Sequence, residues 1–401
     1  MSTLQSRRSL VLAAIAGALA MASALGFGRF SFTPILPGMM ADLGLSAGDA
    51  GLIASGNFAG YLVGAVLAGH GFASGRERGL AILSLLANAI LLAVMALSND
   101  VDVFVLIRFL SGVASAFSLI FTSSVVLSYA AGSEHAQSTH FGGVGFGIAL
   151  SSLLVFMIGQ VHGLFNLAGW RLDWLVGAVV SLAATLAVAA MLPRVDKSDA
   201  KQPAEGKLIW TRKFLLLLAS YGLFGFGYVI TATFIVTMAR MAHTGAVIEF
   251  LSWFLAGLAA AIALFVWHPL MMRFDLVGAY CVALLVEAIG VFCSVALPGV
   301  AAPLIGGVAL GATFMTITAY GLRLGRVLAP KSPRKALSMM TAMFGVGQII
   351  GPLVAGAVAQ RSGSFTLPSL IAASMLLVSL VLAASLWASM RKAKSQAITN
   401  V

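Results

Sequence analysis

Two arginines lie where charge is otherwise absent. Arg29 interrupts "ALGFGRFSFTPILP", residues 24–37, in an apolar run that avoids charge from Ser9 to Met40, and Arg108 opens "RFLSGVASA", residues 108–116. An unpaired charge in lipid is expensive, so an intramembrane arginine marks a functional site unless it reaches the surface. A guanidinium offers a planar fork of donors that suits a carboxylate or similar oxyanion in bidentate fashion. The chemistry on offer is capture of a small organic anion. The competing reading of Arg29 is that it snorkels to the outer headgroups.

Other polar side chains could complete such a site. Asn57 and Tyr61 share one helical face at i, i+4, and Tyr221 lies seven residues before Tyr228 on one face. Thr316, Tyr320 and Gln348 could add hydrogen bonds, although isolated hydroxyls and amides also serve as interhelical glue. Glu287, mid-span, and His140, at the start of a span, are the candidates for carrying a proton. Their structural alternatives are a protonated carboxyl bonded to a neighbouring helix and a partly exposed helix-end histidine. No phosphate-binding G-x-x-x-x-G-K-[ST], no H-E-x-x-H and no Ser/His/Asp grouping at a membrane face occurs. Cys281 and Cys293 share an apolar segment without CxxC or Cys/His spacing, so they read as small buried hydrophobes. Neither a metal nor a cofactor is implied.

The elements that must position these residues follow from composition. Sixty per cent of the 401 residues are hydrophobic and 9% are charged, against about a quarter charged in soluble domains. Apolar runs long enough to cross a bilayer, about 20 residues, recur throughout. They predict an all-α membrane protein with twelve spans, at roughly 10–37, 49–71, 79–97, 102–128, 138–160, 170–191, 212–238, 247–270, 277–297, 302–325, 335–360 and 367–389. Helices fit because every backbone polar group needs a partner inside lipid, and the alternation of a barrel strand is absent.

The net charge of +11 does not mark a nucleic-acid binder, because the basic residues fall between spans. Nineteen of the 24 Lys and Arg lie on segments that are internal if the N-terminus is internal, against three, Arg171, Arg240 and Arg361, on the other side. That asymmetry predicts a multi-pass protein of the bacterial cytoplasmic membrane with both termini cytoplasmic, in contact with lipids. "SRRSLVLAAIAGALAMASA" imitates an export signal, but its apolar run continues past the alanines, and a retained first span is expected.

The polar stretch "PRVDKSDAKQPAEGK", 193–207, halves the chain: residues 1–192 form one six-helix bundle, 193–211 a cytoplasmic linker, and 212–401 a second bundle with a tail. Internal similarity supports the division. "LGFGRFSFT" at 25–33 resembles "FGFGYVITA" at 224–232, "SGVASA" at 111–116 resembles "GGVALG" at 306–311, and "GVGFGIAL" at 143–150 resembles "GVGQIIGP" at 345–352. The offsets of 199, 195 and 202 pair spans 1 with 7, 4 with 10 and 5 with 11. Tyr228 takes the place of Arg29.

With these features the chain resembles a major facilitator superfamily transporter over all twelve spans. "RFLSGVASA", with Arg108 four residues before Gly112, matches the fourth-span motif; "GHGFASGRER" at 69–78 sits where the loop 2–3 motif belongs, keeping Gly69, Arg76 and Arg78 but not the aspartate. "GQIIGPLVAG" at 347–356, with Gly351 and Pro352, resembles the helix-bending motif, whereas the fifth span has Leu150 where the proline belongs. "GFGRFSFTPILP" together with "SGNFAGYLVGA" at 55–65 is similar to the bacterial YbfB/YjiJ-like subfamily. The resemblance implies alternating access, with spans 1, 4, 7 and 10 lining a cavity and 3, 6, 9 and 12 at the periphery. It also implies that Arg108 holds backbone carbonyls of the first span or relays protons. The predicted span ends put Arg29 about 12 Å and Arg108 about 9 Å from the outer ends of their helices, at similar depth. The expectation is a monomeric secondary transporter of a small organic anion. The alternatives are efflux of a neutral or lipophilic compound, and a non-transporting membrane sensor or enzyme.

Overall fold

The structure, a computed structural model, describes residues 2–70, 75–130, 132–161, 167–193 and 205–399. The middle of the loop 2–3 stretch (71–74) and most of the predicted linker (194–204) lie outside them. Among the described residues, eleven helices are long and apolar enough to cross a membrane. The elements are α1 (Ser2–Met21), a π-helix π1 (Ala22–Phe30), α2 (Phe32–Leu43), α3 (Ala47–Ala68), α4 (Glu77–Met95), α5 (Val101–Ala130), α6 (Glu134–Gly159), α7 (Gly169–Met191), α8 (Arg212–Met241), α9 (Ala246–Ala296), α10 (Ala301–Leu328), α11 (Pro333–Ser362) and α12 (Thr366–Thr399).

The first span, α1–π1–α2, runs to Leu43 rather than ending at residue 37. Pro34 falls in the first turn of α2, where a missing N–H is harmless. The helix stops only at Gly44, whose φ of 66° supplies the left-handed C-cap. This extension moves Arg29 to 14 residues from the end at Leu43, or about 21 Å.

Helix α9 runs through the predicted eighth and ninth spans but leaves helical geometry at Asp275 (φ 64°, ψ 171°). A methyl group on Gly307 would lie 2.1 Å from the Ser252 carbonyl, and one on Gly306 would lie 2.6 Å from Ser294 Cβ. A straight helix would separate Ser252 from Ser294 by about 63 Å, yet both abut adjacent residues of α10. The chain therefore folds back at Asp275. The Asp275 Oδ1 accepts from Gly278 N at 2.8 Å, capping the second arm, and Oδ2 accepts from Trp387 Nε1 at 3.0 Å.

Contacts between helix ends define two faces. At the terminal face Arg78 donates to the Leu192 and Ala189 carbonyls, at 2.9 and 2.5 Å, so a basic side chain caps the C-terminal end of α7. Glu205 there pairs with Arg334 at 3.0 Å. At the opposite face Trp170 Nε1 donates to Asp42 at 2.7 Å, and Arg240 pairs with Glu249 at 2.6 Å.

Glycines bring helices distant in sequence into backbone contact. A Cβ on Gly51 of α3 would lie 2.3 Å from the Pro352 carbonyl of α11, and one on Gly356 would lie 2.4 Å from the Ala47 carbonyl. Ser55 Oγ crosses the same seam to the Ile349 carbonyl at 2.8 Å. Helix α6 meets the first arm of α9 in the same way, with a Cβ on Gly257 2.4 Å from Ala149 N. The α3–α11 seam lies toward the opposite face, where α3 begins and α11 ends.

Candidate functional site

Arg29 sits in the last turn of π1, and the side chain is 6% exposed. Mid-depth placement and burial remove the snorkelling alternative. Its guanidinium carbon lies 4.6 Å from the ring centres of both Phe58 and Tyr61 and 5.3 Å from that of Phe30. Such ring faces are favourable for a cation, but they accept no ordinary hydrogen bond. Nε and Nη2 are buried without a hydrogen-bond partner. A buried donor set of this kind is costly until an acceptor arrives.

Arg108 is differently employed. Its Nη1 donates to the Gly28 carbonyl and its Nη2 to the Arg29 carbonyl, both at 2.8 Å. A π-helix leaves part of its backbone poorly paired, and here the fourth span supplies donors to it. Asn57 Nδ2 donates to the Arg108 carbonyl at 3.0 Å. A Cβ on Gly112 would lie 2.0 Å from the Asn57 carbonyl, so that glycine sets the approach of α5 to α3. Arg108 and Arg29 both touch a void of about 10 Å³, but Arg108 does not line the larger cavity beside Arg29. The expected arrangement, two guanidinium groups facing one cavity, is therefore not what the structure holds.

That larger cavity, about 200 Å³, begins at Arg29, Tyr228 and Phe314 near mid-depth and extends toward the terminal face as far as Leu322 and Thr341. Among the described residues Arg29 is the one charged side chain lining it. Apart from Thr318 and Thr341, the walls otherwise are aliphatic and aromatic. Tyr61, Tyr221 and Tyr228 line it, and Tyr228 occupies the repeat position of Arg29. The rings of Phe314, Tyr228 and Phe344 are within 5° of parallel, with centres 5.9 and 5.6 Å apart, and Tyr221 continues the series 5.0 Å from Phe344.

The remaining candidates lie outside that lining. Gln348 Nε2 donates to the Tyr228 hydroxyl from behind. Tyr320 donates to the Trp267 carbonyl at 3.1 Å, and Thr316 Oγ1 is buried without a partner. His140 is fully buried rather than partly exposed, because α6 begins at Glu134; Ser123 Oγ lies 2.8 Å from its Nε2. Glu287 is also fully buried, between the second arm of α9 and α10, against the hydroxyl of Thr313. That hydroxyl has one hydrogen, and the Ala309 carbonyl 2.6 Å away also accepts from it. Both contacts are hydrogen bonds at once only if Glu287 carries its own proton and donates to Thr313. Gly351 packs against Val229 and Phe226 of α8, and Gly69 and Arg76 stand at the ends of α3 and α4. Pro352 is part of the α3–α11 seam.

The aromatic lining from Phe30, Phe141, Phe314 and Phe344 was not among the expectations, which favoured polar side chains. One signal was present: the offset of 195 that pairs the fourth and tenth spans carries Leu119 onto Phe314, and both line the cavity.

Residues 21–384 match the family model described as "Uncharacterised MFS-type transporter YbfB". The chain belongs to this YbfB family of MFS transporters. Membership makes it a multi-span membrane transporter of a small molecule rather than an enzyme. No curated protein matches the sequence. The fold is similar to that of the nucleoside transporter NupG, with 16% identity, a TM-score of 0.69, and coverage of 95% of this chain and 98% of that one. It is also similar to a bacterial homologue of the human lysosomal transporter Spinster in an inward-facing, unoccupied conformation, with 12% identity, a TM-score of 0.73 and 98% coverage of both chains. At such identities the likeness concerns the fold of the YbfB-type chain and not its solute.

Proposed function

We propose that this transporter moves a small organic anion by alternating access, with Arg29 as the group that receives its charge. The observation that carries this reading is the buried Arg29 guanidinium, two of whose nitrogens lack partners, at the head of a cavity with no other charge among the described residues. In an apolar cavity an ion pair with a bidentate acceptor is strong, and the positive charge is otherwise unneutralised. Counting the arms of α9 as two gives twelve spans, which we read as two six-helix bundles, 1–192 and 212–401, joined by the 193–211 linker. The distribution of Lys and Arg supports a cytoplasmic terminal face in a bacterial inner membrane, and we read the protein as a monomer surrounded by lipid. On that assignment the cavity faces inward and the α3–α11 seam closes the outer side. Tyr61, Tyr221 and Tyr228 shape the site, and Arg108 and Asn57 hold the turn that carries Arg29.

A second reading, efflux of a neutral lipophilic compound, draws on the apolar walls. Uptake and counterflow in proteoliposomes against carboxylates, sulfonates and hydrophobic drugs separates the two. Carboxylate movement that depends on Arg29 is the expected result. Drug movement unaffected by Arg29→Ala, with no movement of anions, would hand the case to the second reading.

A further inference from the structure

The cavity's charge count and its wall chemistry together restrict the solute further, on the reading that it takes an anion. One lining side chain is charged, while the other intramembrane guanidinium spends Nη1 and Nη2 on two backbone carbonyls. A monoanion brings the site to neutrality. A dianion would leave its second charge desolvated and unpaired, which an apolar wall penalises heavily.

The wall has a shape as well as a polarity. Phe314, Tyr228, Phe344 and Tyr221 form a staircase of nearly parallel rings on α8, α10 and α11. Phe30 stands edge-on to Phe314 with ring centres 5.9 Å apart. Aromatic rings prefer offset-stacked or edge-to-face partners, and these contacts reward flat π-systems beyond their area. Three of the five lining hydroxyls are already engaged, that of Tyr221 with the Thr318 carbonyl at 3.4 Å, that of Tyr228 with Gln348 and that of Thr318 with the Phe314 carbonyl at 2.7 Å, which leaves those of Tyr61 and Thr341 to meet a hydroxylated solute.

We propose that the cavity selects planar aromatic monocarboxylates, pairing the carboxylate with Arg29 while the ring system adds a step to the aromatic staircase. Isothermal titration of the full-length purified chain in detergent tests this with four matched probes. These are 2-naphthoate, trans-decalin-2-carboxylate (same skeleton, puckered), naphthalene-2,6-dicarboxylate (same plane, second charge) and 2-naphthamide (same plane, no charge). Expected is binding of 2-naphthoate at least fivefold tighter than of the other three. Phe314→Leu and Tyr228→Leu should bring the naphthoate-to-decalin ratio toward one while the decalin carboxylate still binds, a change that misfolding would not produce.

Decalin carboxylate binding within fivefold of naphthoate, with both lost in Arg29→Met, overturns the planar selection and leaves the anion reading standing. Dicarboxylate binding within fivefold overturns the charge count. Naphthamide binding as tightly as naphthoate, with Arg29→Met unaltered, overturns the anion reading and this inference with it. Binding of none of the four overturns the inference as stated.

Discussion

Replacing Gly51 by alanine should release the closed side of the transporter. The added methyl group would lie 2.3 Å from the Pro352 carbonyl oxygen, 3.1 Å from its carbon and 3.3 Å from Gly356 Cα. Every one of these neighbours is backbone, so no side-chain rotation relieves the contact. The two helices must part by about 1 Å to restore van der Waals distance. Overpacking of this order costs about 1–3 kcal/mol. The cost falls on the arrangement in which α3 and α11 touch and disappears when they separate. The closed-to-open ratio should therefore shift by about 5- to 150-fold. Ala54 makes a suitable reporter because it is 2% exposed and lines the small void between Arg29 and Arg108. In a background carrying Cys281→Ser, Cys293→Ser and Ala54→Cys, a membrane-impermeant thiol reagent applied from the face opposite the termini should label the Gly51→Ala protein at least fivefold faster. A labelling rate that is unchanged or lowered, in protein that still elutes as a single folded species, would refute the reasoning.

Four further outcomes follow from the structure. Arg29→Met should abolish most anion transport, by about thirtyfold or more, without lowering the thermal midpoint. Arg108→Met should lower the midpoint by removing donors from two buried carbonyls, each worth about 1–3 kcal/mol, and equal midpoints for the two variants would contradict the division of labour. Glu287→Gln should keep the midpoint within about 2 °C, because an amide donates to Thr313 as a protonated carboxyl does, whereas Thr313→Val should lower it; a large loss in the glutamine variant would show that the carboxyl is ionised. Outside the membrane, burial tends to raise the pKa of Glu205, but hydrogen bonds from the Arg334 and Lys335 N–H groups and from the Arg334 guanidinium hold it below the usual carboxylate range. A depressed carboxylate stabilises above its unfolded pKa and loses that effect as pH falls through the lower folded value. Cleavage after Lys207 should thus stay slow from neutral pH down through the ordinary carboxylate range and be fast at pH 7 in Glu205→Gln; equal rates at pH 7 would sink the assignment.

The helical class and most span positions could be read from the sequence because lipid permits few solutions for an apolar run of such length. Arg29, Tyr61, Tyr221 and Tyr228 could be picked out because polar groups are scarce in these segments. What could not be read was depth. Pro34 and Pro37 look like terminators, yet the helix absorbs them and continues to Leu43, which takes Arg29 from about 12 Å to about 21 Å from the helix end. The fate of Arg108 was open in the sequence: the resemblance implied a hold on first-span carbonyls, which the structure shows at Gly28 and Arg29, while the residue type alone also suited an anion. The phenylalanines of the wall were indistinguishable in sequence from those that merely face lipid.

Arg108 fastens the widened turn of the first helix to α5 by the carbonyls of Gly28 and Arg29, so the cavity's cation is anchored by its main chain and not by its own stem. The charge is thus tied to α5, whereas the ring ladder rides on α8, α10 and α11. On the proposed mechanism, cargo seated between them splints the Arg29 turn to the ring ladder, beside the Thr33–Ala232 hydrogen bond at 2.6 Å and the Phe30–Phe314 contact that already join them.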